Sequence, residues 1–110
     1  MMSEQYGISF EKVISKSGLV FPYASENNII NAEIAHHITC SDESATEMQI
    51  SDLQKALAGE KIQAAWGEVM GSTLDIFQSD GTVQINYTNK KIPIQDFKQL
   101  LEEWLHFITT

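Results

Sequence analysis

The residues of this 110-residue chain that come closest to a metal-binding cluster are His36, His37 and Cys40, in the order His-His-x-x-Cys. A structural zinc site needs four ligands, usually as two spaced pairs, and the chain has a single cysteine. We expect the cluster to lie on a β-strand, where adjacent side chains point to opposite faces, so His36 and His37 cannot readily share an ion. The sequence therefore predicts no metal site and no cofactor, with His36 and Cys40 on the buried face.

Two pairs of adjacent carboxylates, Asp42–Glu43 and Glu102–Glu103, are the other groups that could do chemistry. A general acid and a general base need different environments with a substrate between them, so neighbours in sequence seldom form such a pair. The chain also lacks the GxSxG, Walker, GxGxxG and CxxC motifs. We expect solvated surface charge at both pairs and no enzyme activity.

The charge composition narrows the class of partner. Fifteen acidic residues face seven lysines and no arginine, for a net charge of −8. Contacts to phosphate dominate nucleic-acid affinity, and arginine is the side chain best suited to them. The composition therefore argues against direct binding of DNA, RNA or an anionic membrane. It favours a cationic partner, although acidity can also simply keep a small protein soluble.

One long segment of the chain is purely acidic. Residues 17–54 contain no Lys or Arg but hold six acids. If residues 30–40 form a strand, Glu33 points outward beside His37 and Thr39, and a loop over 41–46 continues the same edge. Tyr23 is a candidate aromatic anchor close to these acids. The candidate partner-binding residues are Glu33, Asp42, Glu43, Glu47 and Asp52.

The C-terminal stretch has the clearest secondary-structure signal. Apolar residues recur at the i, i+3, i+4, i+7 spacing of one helical face, and Pro93 suits a first helical turn. The spacing predicts a long amphipathic helix over residues 94–108 that covers a sheet. The residues of its apolar face are Ile94, Phe97, Leu100, Leu101, Trp104, Leu105 and Ile108.

The middle of the chain is predicted from shorter patterns. Alternating apolar residues over 30–40 favour a strand, although a helix would also group Ile30, Ile34 and Ile38. Ser51 is a good N-cap with Gln54 as its capping-box partner, and Gly59 suits a helix stop. We expect a polar loop over 41–46 and a short helix over about 52–58.

The remaining elements are strands. Alternation at Leu74 and Ile76, and again at Val83, Ile85 and Tyr87, predicts a hairpin with its turn at residues 79–81. Residues 6–14 suit a bent strand or a short helix. A turn at 16–18, a short buried strand at 19–21 and a polar loop at 24–28 follow. Residues 62–70 suggest a strand broken at Trp66–Gly67. Together these elements predict a single α+β domain over 1–110, with an antiparallel sheet and both helices packed on one face.

Two further features concern location. The N-terminus lacks the basic and apolar regions of a signal peptide, and no apolar run approaches the ~20 residues of a membrane span. The sequence predicts a cytoplasmic protein.

The C-terminal third carries a resemblance. The hairpin TLDIFQSDGTVQINY followed by IPIQDFKQLLEEWLHFI, about residues 73–108, resembles the immunity proteins of bacterial contact-dependent growth inhibition systems. The resemblance implies a small cytoplasmic protein that binds and neutralises a cognate toxin domain, frequently a basic nuclease. Its motif is one of packing, so it transfers no binding residue to this chain. An effector chaperone, an adaptor and a nucleic-acid mimic are alternatives with the same acidic character.

Overall fold

The computed structural model describes residues 2–14, 16–18, 20–26, 32–60, 62, 65–69, 72–85 and 91–109. They form an α+β fold with the C-terminal helix packed on an antiparallel sheet and on the preceding long helix. The elements are α1 Met2–Gln5, β1 Ile8–Ile14, β2 Val20–Glu26, α2 Ala32–Thr39, α3 Glu43–Leu57, β3 Ala65–Val69, β4 Ser72–Phe77, β5 Thr82–Ile85, β6 Lys91–Pro93 and α4 Ile94–Ile108.

The main sheet has four antiparallel strands in the order β3-β4-β5-β6. The register places Leu74 opposite Ile85, and Ile76 opposite Val83, so the buried apolar residues of these strands meet on one face. The predicted hairpin is confirmed at this point, and Gly81 supplies the left-handed turn position with φ 70°. Tyr87 lies outside the described residues.

Helix α4 has the bounds that the apolar spacing predicts. Phe97, Leu101 and Trp104 are buried, as expected of a helix that covers a sheet. Its C-terminal half also meets β1, where the ring of Phe10 lies 5.3 Å from that of Trp104 in an edge-on arrangement. Pro93 is the N-cap residue rather than part of the first turn, since it also ends β6.

Residues 32–39 form a helix, so the predicted strand over 30–40 is wrong. The helix buries Ile34, Ala35, His37 and Ile38 together and exposes His36. Residues spaced i, i+4 share a helical face, so Ile34 and Ile38 fit a helix as well as the alternating pattern. The predicted orientation of the histidines is therefore reversed.

The predicted loop over 41–46 is wrong from residue 43 onward, because helix α3 begins at Glu43. The helix predicted over 52–58 is helical up to Leu57, but it is the C-terminal part of the longer α3 and not a separate short element. Asp42, not Ser51, is the N-cap, and Ser51 lies exposed within the helix. A helix capped by Asp42 begins about two and a half turns before one capped by Ser51 would, and the added length buries Thr46 and Gln49. The predicted stop is correct, since Gly59 has φ 81° directly after the C-cap Ala58.

The N-terminal strands pair as a separate two-stranded antiparallel sheet, β1-β2, with the expected turn at Lys16–Gly18 between them. The polar loop predicted from residue 24 is wrong up to residue 26, because β2 continues to Glu26. The hydroxyl of Thr39 accepts from the Ala24 N–H at 3.0 Å, which ties this edge of β2 to α2. Further along, β3 has a register shift between Ala65 and Gly67, and this confirms the predicted irregularity there.

Candidate functional site

The first turn of α3 brings exposed carboxylates together. Asp42 has extended backbone, and its Oδ1 accepts a hydrogen bond of 2.8 Å from the N–H of Ala45. This cap satisfies one of the otherwise unpaired N–H groups at the start of the helix. Asp42 remains exposed, so the same carboxylate both caps α3 and faces solvent.

Glu43 and Glu47 are exposed residues one helical turn apart, beside Asp42. Glu43 lies where the helix dipole favours negative charge, whereas the i, i+4 spacing of the two glutamates produces mild repulsion. With Ser44, these three acids line an open surface depression. We call Asp42, Glu43, Ser44 and Glu47 the α3 acidic surface.

The other two predicted binding residues lie elsewhere. Glu33 is half-buried in the first turn of α2, at the far end of that helix from the α2–α3 connection, and not on a strand edge beside His37 and Thr39. Asp52 is half-buried on α3, roughly 13 Å along the helix from Glu43 and about 180° around it. The structure therefore groups three of the five predicted acids.

An exposed apolar side chain borders the α3 acidic surface. Met48 follows Glu47 directly and is 58% exposed, on the solvent side of α3. Methionine is flexible and polarisable, and such side chains adapt well to a partner surface. The acidic surface therefore adjoins an apolar contact of the kind that interface centres use.

A buried polar network lies directly beneath the α3 acidic surface. His37 and Gln49 are both fully buried, and the His37 Nε2 lies 2.6 Å from the Gln49 Oε1. The Gln49 amide nitrogen donates to the Ser41 Oγ at 3.0 Å and to the Ala45 main-chain oxygen at 3.2 Å. Since that nitrogen is used as a donor, the oxygen faces the ring, and His37 must donate from Nε2.

Ser41 joins this network to two helices. Its hydroxyl donates to the His37 main-chain oxygen at 2.9 Å, and its own main-chain oxygen accepts from the Trp104 Nε1 at 2.9 Å. The hydroxyl of Thr46 also donates to the Ser41 oxygen, at 3.4 Å. The network therefore connects α2, α3 and α4 at the residue before the N-cap.

The environment of His37 disfavours its charged form. Burial lowers the pKa of His37 below its ordinary value, and the nearby His36 lowers it further, whereas the hydrogen bond to Gln49 acts in the opposite direction. His37 is therefore neutral at pH 7. A neutral buried imidazole with a fixed tautomer is a structural group here.

The His-His-x-x-Cys cluster is split by the helix. His36 and Cys40 lie one turn apart on the exposed side of α2, with 3.7 Å between the His36 Nε2 and the Cys40 Sγ, while His37 points into the core. Among the residues that the structure describes, no group of three or more His, Cys, Asp or Glu side chains could hold a metal ion.

The Glu102–Glu103 pair has structural roles. Glu102 forms an ion pair with Lys98 at 2.9 Å, and Glu103 accepts from the main-chain N–H groups of Met2 and Ser3. Glu103, which lies on α4, thus caps the start of α1. Two carboxylates with separate partners do not form an acid–base pair.

The sequence analysis missed three residues of this region, which are Ser41, Ser44 and Gln49. A helical reading of 42–57 would have placed Gln49 on the same face as Thr46, Leu53 and Ala56, which marks it as a buried polar residue needing partners. The tight cap at Asp42 was available from its type alone, since Asp is a strong N-cap residue. No local pattern indicates that Trp104 donates to Ser41, because 63 positions separate them.

No family model, curated protein or solved structure matches this chain. Within the part of the chain that the structure describes, no helix has the length and apolar character that crossing a bilayer requires.

Proposed function

We propose that this protein is an immunity protein of a bacterial toxin–immunity system, which binds a cationic toxin domain in the cytoplasm and blocks it. The observation that carries the proposal is the α3 acidic surface, where three exposed carboxylates and Met48 lie on one helix. The resemblance of residues 73–108 to immunity proteins of contact-dependent growth inhibition systems supports the same class.

The charge of the chain suits this function. Asp42, Glu43 and Glu47 lie within a segment, residues 17–54, that has no Lys or Arg, and the whole chain carries −8. A nuclease active site is basic because it holds phosphates, so an acidic surface can approach it rapidly and cover it. Charge then sets the association rate, while a few desolvated side chains supply most of the affinity.

Met48 is the described side chain best placed to act as such an anchor. It is large, apolar and exposed, and it directly follows Glu47 on α3. In this arrangement the carboxylates orient the partner, and Met48 supplies apolar contact area. Truncation of Met48 to Ala should therefore raise the dissociation rate more than it lowers the association rate.

The test measures protection and binding with the C-terminal domain of the protein encoded by the gene immediately upstream. The test variant combines Asp42→Asn, Glu43→Gln and Glu47→Gln, since Asn retains the helix cap while charge is removed. The control variant combines Glu11→Gln, Glu60→Gln and Asp80→Asn, which are exposed residues away from the α3 acidic surface. Both variants change the net charge equally.

We expect the test variant to associate about tenfold more slowly at low salt, with a weaker dependence on salt, and to protect cells less well. The control variant should behave nearly as wild type does. Equal loss in both variants would mean that only overall charge matters. Full protection by the test variant would place the binding surface elsewhere, whereas a wild-type chain that neither binds the domain nor protects the cells would exclude this function.

A further inference from the structure

We propose that the buried contact between His37 and Gln49 makes the first turn of α3 a proton-sensitive joint, ordered at neutral pH and locally opened when His37 takes up a proton. This joint supports the α3 acidic surface from the inside and contacts no partner. The pH response of the joint can therefore be tested on this protein alone. The result does not depend on whether the proposed function is correct.

The joint is built from a short chain of hydrogen bonds. His37 donates to Gln49, and Gln49 donates to Ser41 and to the main-chain oxygen of Ala45. The N–H of the same Ala45 is held by the carboxylate of Asp42. Ala45 is thus hydrogen-bonded to both Gln49 and Asp42, so three successive hydrogen bonds connect His37 to the α3 acidic surface.

A proton on His37 would place a positive charge in an apolar enclosure. Its ring lies 5.8 Å from that of Phe97 on α4, and α3 faces it with the uncharged amide of Gln49. Helix α2 packs on β2 through Ala24 and Thr39, and on β4 and β5, whose buried residues are apolar. An imidazolium is costly to keep in such surroundings, because burial removes its hydration and the Gln49 amide that accepts from it carries no negative charge.

The elements packed around His37 also carry charged side chains, and their positions are as follows. His36, on the same helix, disfavours a second positive charge. On α3 the carboxylates of Asp42, Glu43 and Glu47 are exposed, and Asp52, three residues after Gln49, is half-buried. On α4, Asp96 accepts the hydroxyl of Tyr6 at 2.7 Å, and on β4, Asp75 alternates with the buried Leu74 and Ile76.

The pH range follows from the direction of the shift. Burial lowers the pKa of His37 in the ordered joint, whereas an opened joint returns it to about 6.5. The stability of the ordered joint is therefore complete above about pH 6.5 and decreases as the pH falls below that value. Between 6.5 and the lowered value, each pH unit shifts the ratio of ordered to open joint by roughly tenfold.

The primary experiment is amide hydrogen exchange on the wild-type chain between pH 7.5 and 5.5, corrected for intrinsic exchange rates. The reporter is the N–H of Thr46, which donates to the Asp42 main-chain oxygen at 2.9 Å, and the internal reference is the N–H of Leu101 within α4. We expect Thr46 to lose several-fold of its protection, at most about tenfold, between pH 7.5 and 5.5, while Leu101 keeps its own. Unchanged protection at Thr46, or equal loss at Leu101, would overturn the proposal.

Two variants test the role of the ring. Gln49→Glu supplies a carboxylate to the imidazolium and should abolish the acid-induced loss at Thr46. The matched control is His36→Asn, which alters the exposed neighbour and should leave most of the loss in place. Loss of the response in His36→Asn with its retention in Gln49→Glu would contradict the assignment to His37. If Gln49→Glu does not fold, the pH dependence of exchange at Thr46 in the wild-type chain still tests the proposal.

Discussion

The indole N–H of Trp104 donates a hydrogen bond of 2.9 Å to the main-chain oxygen of Ser41, so the last helix is fixed to the residue that precedes the Asp42 cap. Both groups are buried, and a buried polar group left without a partner is costly. This bond defines where α4 lies relative to the start of α3. Trp104 therefore contributes both to the packing of the hydrophobic core and to the position of the α3 acidic surface.

Substitution of Trp104 should separate packing from hydrogen bonding. Trp104→Ala removes a fully buried aromatic side chain and should lower the free energy of unfolding by about 3–5 kcal/mol. Trp104→Phe keeps much of the apolar area but loses the N–H, and should cost about 1–3 kcal/mol. Urea denaturation measures both. The exposed Met48→Ala serves as control and should change stability by no more than about 0.5 kcal/mol. An unchanged midpoint for Trp104→Ala would contradict the packing described for α4.

Substitution of Asp42 should distinguish its cap from its charge. Asp42→Ala removes the acceptor for the Ala45 N–H and should destabilise the protein by about 1 kcal/mol, whereas Asp42→Asn should cost much less. Thermal or urea denaturation of the two variants provides the comparison. Equal destabilisation by both substitutions would indicate that the charge, rather than the hydrogen bond, stabilises the start of α3.

Tyr6 should make the fold sensitive to alkali. Burial raises the pKa of Tyr6, and the hydrogen bond to the carboxylate of Asp96 raises it further. A phenol whose pKa is higher in the folded state contributes stability that is complete below about pH 10, the unfolded value, and is lost as the pH rises above it. Denaturation midpoints between pH 9 and 11 should fall less steeply in Tyr6→Phe than in wild type. Identical slopes would show that this contact does not form in solution.

The protein as isolated should contain no stoichiometric zinc. His36 and Cys40 offer two ligands on one face of α2, and the third member of the sequence cluster, His37, is buried and bonded to Gln49. Two protein ligands are fewer than a structural zinc site uses. Elemental analysis checks the metal content. About one zinc per chain that disappears in His36→Asn would contradict this prediction.

The amino-acid sequence by itself determines those elements whose apolar spacing is compatible with only one type of secondary structure. The apolar spacing over 94–108 suits a helix and no strand, and α4 has those bounds. The hairpin of β4 and β5 is similarly determined by alternation on both sides of a glycine turn. The absence of Lys and Arg from 17–54 also indicated the segment in which Asp42, Glu43 and Glu47 lie together.

The conformation of residues 32–47 was decided by tertiary structure. Ile34 and Ile38 satisfy period two and the helical period equally, so local pattern could not choose between a strand and α2. The helix is selected because it buries His37 opposite Gln49 and lets Thr39 bond to β2, and both contacts depend on residues more than ten positions away. The helical start at Asp42 is likewise supported by Trp104, 62 positions later, through Ser41. Short patterns report the burial of side chains, whereas the partners that satisfy buried polar groups are known only once the chain has folded.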